Sequence, residues 1–314
     1  MNSRAFSHRL AALTFALIAS AAGTISAQDA PDSKKTTTTQ ATPSPAPGDF
    51  QFECSHHDLA IQVFGHRPLG YDGGPLLVLF HGASRDARGY RDGARKLADK
   101  LGMLLVVPEF DRARFDVAAY QEGGILKDGK VQPPSEWTFA YLQPLLDEVA
   151  RRGRMAASFP RAGHSAGAQF LIRLAAFHPN EARRMILVNP GSLVFPTGDQ
   201  PYPYGFGGLP ETIASDAAIR RFVQAPVTFY LGTGDVTKKR LSSGKEAMKQ
   251  GATRIERGQN GYQSGKALAQ NEQWDFGWKL VEAEGLEHAS GPMWDHPKCM
   301  QAMVGETTGH DSGE

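Results

Sequence analysis

Gly163-His164-Ser165-Ala166-Gly167 decides the reading of this chain. The five residues spell G-x-S-x-G, the pattern in which a serine occupies a tight turn between a strand and a helix. That turn strains the serine backbone and crowds the positions two residues to either side, so both are glycine. The hydroxyl is lifted above the sheet, and the N-terminus of the next helix points at charge developing beside it. A glycine-rich surface turn would match the same letters, but it would not need the flanks found here. Residues 156–162 are short and partly apolar, and residues 166–177 (AGAQFLIRLAAF) are rich in helix formers, with no proline and no glycine beyond Gly167.

Working outward, short apolar runs alternate with helical stretches. Residues 59–64, 75–80, 103–107, 185–188, 227–231 and 278–283 read as strands, several of them apolar throughout, as in strands buried on both faces. Residues 85–101 and 137–152 read as helices, the first weakened by Gly89 and Gly93, the second by Pro144. This alternation predicts an α/β fold: a mostly parallel central sheet with helices on both faces and ligands at the carboxyl ends of the strands. Residues 192–210 and 238–273 lack clear periodicity and read as excursions over the top of the sheet.

A serine hydroxyl needs a base within hydrogen-bond reach, and the base needs an acid to orient it. With an elbow serine the expected chain order is serine, acid, histidine. Asp235 follows the run 227–231 through Gly232-Thr233-Gly234, a turn able to fold the carboxylate back over the sheet; a surface-turn aspartate is the competing reading. Among the downstream histidines, His178 precedes any acid and His310 lies in a polar tail. His288 follows the run 278–283 through a short loop and is the expected base, with His296 in reserve. Oxyanion donors are expected at the Ala166 amide, directly after the nucleophile, and at the Ala83 amide after the run 75–80, with Ser84 as its substitute. His81, in an HG turn, is read as structural.

The four motifs FHGAS, GHSAG, LGTGD and EGLEH, in that order, resemble the α/β-hydrolase superfamily over about residues 59–303. More narrowly they resemble exported esterases of the poly(3-hydroxybutyrate) depolymerase and feruloyl-esterase-like group. The resemblance implies acyl transfer to water through an acyl-enzyme, and it leaves the substrate open. One departure stands out. The strand before the elbow reads Ser158-Phe159-Pro160-Arg161-Ala162, where an apolar run is usual; proline is rarely central in a sheet and a buried arginine needs a polar partner.

Residues 1–27 read as a signal peptide: Arg4, His8 and Arg9, then an apolar run over 10–22, then Ala27 before Gln28. Residues 28–49 carry Thr36 to Thr39 and Pro43, Pro45 and Pro47, hold no large apolar side chain, and read as a disordered linker. Residues 50–314 are long enough for one large catalytic domain. Export, periplasmic or secreted, follows from the leader. In an oxidising compartment Cys54 and Cys299 are expected to form a disulfide tying the domain ends together, two buried thiols being the alternative.

The formal charge is +1, and loss of Arg4 and Arg9 with the leader takes it to −1; no basic block points to nucleic acid, and no stable membrane insertion is expected. No cofactor is expected, since neither a dinucleotide fingerprint nor a P-loop is present. No metal is expected either: His56 and His57 lie near Cys54, but neighbours on a strand face opposite ways and no second ligand pair is suitably spaced. Phe110, Tyr202, Tyr204 and Trp294 are candidates for the substrate side, and ordinary packing explains each equally well. The resulting expectation is an exported serine hydrolase acting on small or polymeric esters. A peptidase acting on short peptides, or an inactive hydrolase fold used for binding, are the alternatives.

Overall fold

A computed structural model describes residues 46–152, 159–179 and 181–305. The leader, nearly all of the linker, residues 156–158 of the run before the elbow, and His310 lie outside those residues.

Among the described residues there are ten strands: β1 (Gly48–His56), β2 (Leu59–Arg67), β3 (Leu76–Phe80), β4 (Leu104–Pro108), β5 (Leu126–Lys127), β6 (Lys130–Val131), β7 (Pro160–His164), β8 (Arg184–Val188), β9 (Val227–Gly232) and β10 (Lys279–Ala283). The helices are α1 (Ala87–Leu101), α2 (Leu142–Arg151), α3 (Ala166–Phe177), α4 (Glu211–Ala214), α5 (Asp216–Gln224), α6 (Lys245–Gln250), α7 (Arg254–Asn271), α8 (Ser290–Asp295) and α9 (Pro297–Val304). Eight strands form one sheet in the order β1-β2-β4-β3-β7-β8-β9-β10. β1 and β2 are antiparallel to their neighbours, and the remaining pairings are parallel.

β3 (LLVLF) and β4 (LLVVP) are buried at every position because helices cover both faces. Side chains from α2, α3, α5 and α7 pack with one face of the sheet, and those from α1, α8 and α9 with the other. Fully burying one such Leu or Val contributes about 1.5–3 kcal/mol, so this sheet is a rigid platform for whatever its edge carries.

Four differences from the sequence reading have physical causes. β1 begins two residues inside the expected linker and pairs along its whole length with β2. Pro160 opens β7, the position where a proline is tolerated, and the Arg161 guanidinium lies 5.4 Å from the centre of the Phe159 ring. α7 occupies much of the excursion expected over 238–273. Its glycines hide it from a propensity reading, yet a Cβ at Gly258 would strike Leu231 and one at Gly265 would strike Trp278, so they let the helix lie close on the sheet. His56 ends β1 and His57, at φ 49°, makes the turn into β2; their rings are 4.2 Å apart, so strand alternation does not separate them.

The expected disulfide is absent: Cys54 and Cys299 are buried free thiols. Cys54 lies on the edge strand β1, and Cys299 lies on α9, against the opposite face near the other edge. At about 4.8 Å per strand the two are separated by roughly 25–35 Å, whereas a disulfide needs Cα atoms within about 7 Å. Burial pushes the thiols up to about 11 and about 12, which keeps both protonated.

Candidate active site

Every element of the site sits at the carboxyl end of a parallel strand. Ser165 follows β7, Ala83 follows β3, Asp235 follows β9 and His288 follows β10. Ser165 has φ 55° and ψ −109°, strained for a residue with a side chain, and its amide donates to Val188 O at 2.9 Å. Added Cβ atoms explain the motif's glycines: one at Gly163 would run into the Gly167 carbonyl, and one at Gly167 into the carbonyl of Phe80.

His288 Nε2 lies 3.1 Å from Ser165 Oγ, and His288 Nδ1 lies 2.6 Å from Asp235 Oδ2. With Nδ1–H donating to the carboxylate, Nε2 is free to accept the serine proton. Asp235 is completely buried. Its Oδ1 faces Arg254 Nη1 at 3.6 Å and makes no hydrogen bond among the described residues. Arg254, itself buried, donates to the carbonyls of Thr237 (3.0 Å) and Lys239 (2.8 Å), which ties the loop after the acid to the acid itself.

The acid turn and the histidine loop are sewn together. Gly234 N donates to Leu286 O at 2.9 Å, and Gly285 N donates to Thr233 Oγ1 at 2.8 Å. A Cβ at Gly232 would collide with the Leu286 carbonyl, so LGTGD needs its first glycine for close approach. Asn189 bridges the two: Oδ1 accepts from Gly232 N at 2.8 Å, and Nδ2 donates to Glu287 O at 3.1 Å.

His164 adds a second brace. Its Nε2 donates to the backbone carbonyl of His288 at 2.7 Å, and Nδ1 accepts from the Tyr90 hydroxyl at 2.7 Å. Those partners fix its tautomer. Burial, helped by the neighbouring His288, lowers its pKa from 6.5 to about 3, so it stays neutral. Sequence reasoning missed Asn189, His164, Tyr90 and Arg254. Asn189 was legible only as part of a strand-ending Asn-Pro-Gly, and His164 as the variable letter of the motif.

Ala166 is the first residue of α3, where an amide has no acceptor within its own helix, and Ala83 lines the cavity in front of the serine. The Ala83 carbonyl accepts from Arg112 Nη2 at 2.5 Å, which fixes the plane of the peptide that carries the Ser84 amide. His81 is buried and structural in its contacts: Nε2 accepts from Phe110 N at 3.0 Å, and Nδ1 lies 3.0 Å from Gly82 O. His296 caps α9 through Lys298 N and does not line the cavity.

The four aromatic candidates for the substrate side fall elsewhere. Phe110 is 1% exposed within a cluster that includes Phe115, Tyr120 and Phe170, and Trp294 is 3% exposed among the side chains of α1 and α9. Their bulk is spent on packing. Tyr202 donates its hydroxyl to Glu122 O, Tyr204 lies 3.3 Å from Ser242 Oγ, and neither lines the cavity. That cavity has a volume of about 380 Å³ and is bounded by Tyr90, Gln121, Gln169, Arg240 and His288 among others. Among the described residues no group of His, Cys, Asp and Glu is arranged to hold a metal ion.

A strand-loop-helix serine, a histidine and a buried acid on one edge of a mostly parallel sheet are the arrangement of a hydrolase, and the chain has the α/β-hydrolase fold. Among solved structures it is similar to poly(aspartic acid) hydrolase-1 from Sphingomonas sp. KT-1, with 29% identity, 81% of this chain and 98% of that one covered, and a TM-score of 0.75. It is similar also to LpqC, a poly(3-hydroxybutyrate) depolymerase from Bordetella parapertussis, with 27% identity, 79% and 88% covered, and a TM-score of 0.74. An S-formylglutathione hydrolase from Agrobacterium tumefaciens, at 17% identity, 82% and 95% coverage and a TM-score of 0.50, shares the fold. No family model and no curated protein sequence matches the chain.

Proposed function

We propose that the protein is an exported serine hydrolase that cleaves carboxylic esters through an acyl-enzyme. The observation that carries this reading is the relay Ser165–His288–Asp235, with steps of 3.1 and 2.6 Å. Ser165 Oγ attacks the ester carbonyl while His288 Nε2 takes its proton. Asp235 holds the imidazole and stabilises the cation that forms. The amides of Ala166 and Ala83, with Ser84 as substitute for the second, face the oxyanion and contribute about 3 kcal/mol each to the transition state. His288 returns the proton to the leaving alkoxide, and water then cleaves the acyl-enzyme by the same route.

The similarity to a poly(3-hydroxybutyrate) depolymerase supports an ester substrate. The similarity to a poly(aspartic acid) hydrolase supports the second reading, amide cleavage in a peptide-like chain. The two hydrogen bonds of the relay disfavour an inactive binding module. Residues 1–27 act as the export signal and residues 28–47 as the tether in this proposal. Labelling with a fluorophosphonate, followed by a panel of matched esters and amides, tests it. Stoichiometric labelling of the wild type and none of Ser165→Ala is expected, with esters turned over faster than amides. A wild type that does not label ends the hydrolase mechanism; faster amide turnover replaces the ester reading with the peptidase one.

A further inference from the structure

The catalytic cavity opens into a second one of about 750 Å³, and the two share Ala83, Ser84, Gln121 and Arg240. An acyl or leaving group longer than a few atoms, with its carbonyl at Ser165, runs past Arg240 into that space. Its walls are cationic. Arg85 and Arg112 line the second cavity, Lys239 and Arg240 line the first, and the acid lining either one is Asp116. Asp116 caps the turn at residues 117–121, accepting from Ala119 N at 2.7 Å.

These cations are placed by the fold and left without carboxylate partners among the described residues. Arg85 is buried, donates to the carbonyls of Phe110 (2.8 Å) and Asp116 (3.2 Å), stacks 4.4 Å from the centre of the Tyr120 ring, and has a buried Nε with no hydrogen-bond partner. Burial depresses its pKa, and the charge of Arg112 adds to that. Arg112 is anchored on the Ala83 carbonyl. Lys239 and Arg240 are exposed at the lip, on a loop whose backbone is clasped by Arg254. Arg254 lines the first cavity too, but its charge faces Asp235.

Two adjoining cavities with one nucleophilic serine, Ser165, and four unneutralised cations are complementary to an extended anion. We infer that the cleft selects acyl substrates carrying a carboxylate remote from the scissile bond, held between Arg240 and Lys239 at the lip and Arg112 and Arg85 beyond it. The inference rests on the serine hydrolase reading and names the substrate class of that site. The carboxylate can end a short dicarboxylic half-ester or recur along an acidic oligomer. The chemistry recognised is the same, because a guanidinium binds either one bidentately.

Matched aryl esters test it: a dicarboxylic half-ester with its terminal carboxylate free, and the same molecule with that carboxylate methylated. The wild type is expected to prefer the anionic ester by about tenfold in kcat/KM, chiefly through KM, since the contact is remote from the reacting bond. The preference is expected to shrink in high salt, and to collapse toward unity in Lys239→Gln/Arg240→Gln, whose exposed side chains leave folding intact. A third arm uses an oligo-ester with one carboxylate per repeat; preference for it over the half-ester, lost in the same variant, supports the oligomeric source. Equal or better turnover of the neutral ester in every arm, or an anionic preference that survives the double substitution, overturns the inference. Turnover of the neutral ester by wild type and not by Ser165→Ala keeps the hydrolase reading in either case.

Discussion

Asn189 and Arg240 both hold their backbone in the left-handed region, at φ 46° and 57°, on two different parts of one cleft. At the floor, the Asn189 side chain is used twice, joining the acid turn to the histidine loop. At the mouth, the Arg240 side chain makes no hydrogen bond or ion pair among the described residues and faces the entrance. The floor is largely buried and braced through its side chains, whereas the mouth is charged, exposed and held only through its backbone. Chemistry needs side chains fixed to within fractions of an ångström, and selection by charge does not, so the two regions are built to different tolerances.

The largest effects belong to the floor. Ser165→Ala is expected to lower kcat by about 10⁶, because the triad acts as a unit. Asp235→Asn keeps the shape but favours the wrong histidine tautomer, with an expected loss of about 10⁴. Steady-state turnover of a neutral ester measures both; a loss under tenfold in either one would mean that the floor is not where the chemistry happens.

Next come the braces. Asn189→Ala removes both bridges and leaves the Gly232 amide and the Glu287 carbonyl without their partner. Tyr90→Phe removes the hydroxyl that His164 accepts from. A small displacement of His288 costs up to about 10²-fold in rate, and we expect losses of about 10- to 100-fold for Asn189→Ala and about tenfold for Tyr90→Phe. Both act in kcat, because neither side chain is part of the anion-binding lip. Losses confined to KM would instead put these residues at the mouth and erase the difference between mouth and floor.

How much of this was legible in the sequence divides along the same line. The serine, acid and histidine each follow a strand within a few residues, so a local pattern of glycines and apolar runs reveals them. Asn189, His164 and Tyr90 are found only by knowing which loops touch. Asn189 reaches residues 43 and 98 positions away, and no local periodicity encodes such a pairing. β1 was missed because alternating burial in an edge strand full of polar residues leaves little apolar signal. The short hairpin of β5 and β6 turns on Asp128 and Gly129, but its two-residue strands, Leu126–Lys127 and Lys130–Val131, are too short to show an alternating pattern beside that Asp-Gly. α7 was misread because its glycines serve packing against the sheet rather than chain flexibility. The disulfide was inferred from compartment and chain position alone, and sheet order overruled it.

The pH dependence of stability tests how dry the floor is. His81 and His164 are held neutral, burial lowering them from 6.5 to about 4 and about 3. Below pH 6.5 the unfolded chain takes up protons that the folded one refuses. Their contribution is therefore complete above 6.5 and is lost as the pH falls toward the folded values. Each histidine adds a slope of up to about 1.4 kcal/mol per pH unit. Urea midpoints are expected to drop as the pH falls below 6.5, and His164→Gln is expected to flatten that slope. An identical slope in the variant would mean that His164 is hydrated and that the floor is no better shielded than the mouth.

The smallest effect should separate the two left-handed residues. Glycine relieves the strain of a positive φ, worth about 1 kcal/mol where the replaced side chain does nothing for the fold. Arg240→Gly should therefore raise Tm by about 2–4 °C, even though it removes a cation from the lip. Asn189→Gly gains the same backbone relief but forfeits two buried hydrogen bonds, each worth about 0.5–1.5 kcal/mol, and leaves their partners unpaired, so its Tm should fall. The two substitutions share a backbone conformation and a replacement residue, so only the side chain's work differs between them. Differential scanning calorimetry of the pair reads that difference directly, and shifts of the same sign would show that the Arg240 side chain is braced as firmly as the Asn189 one.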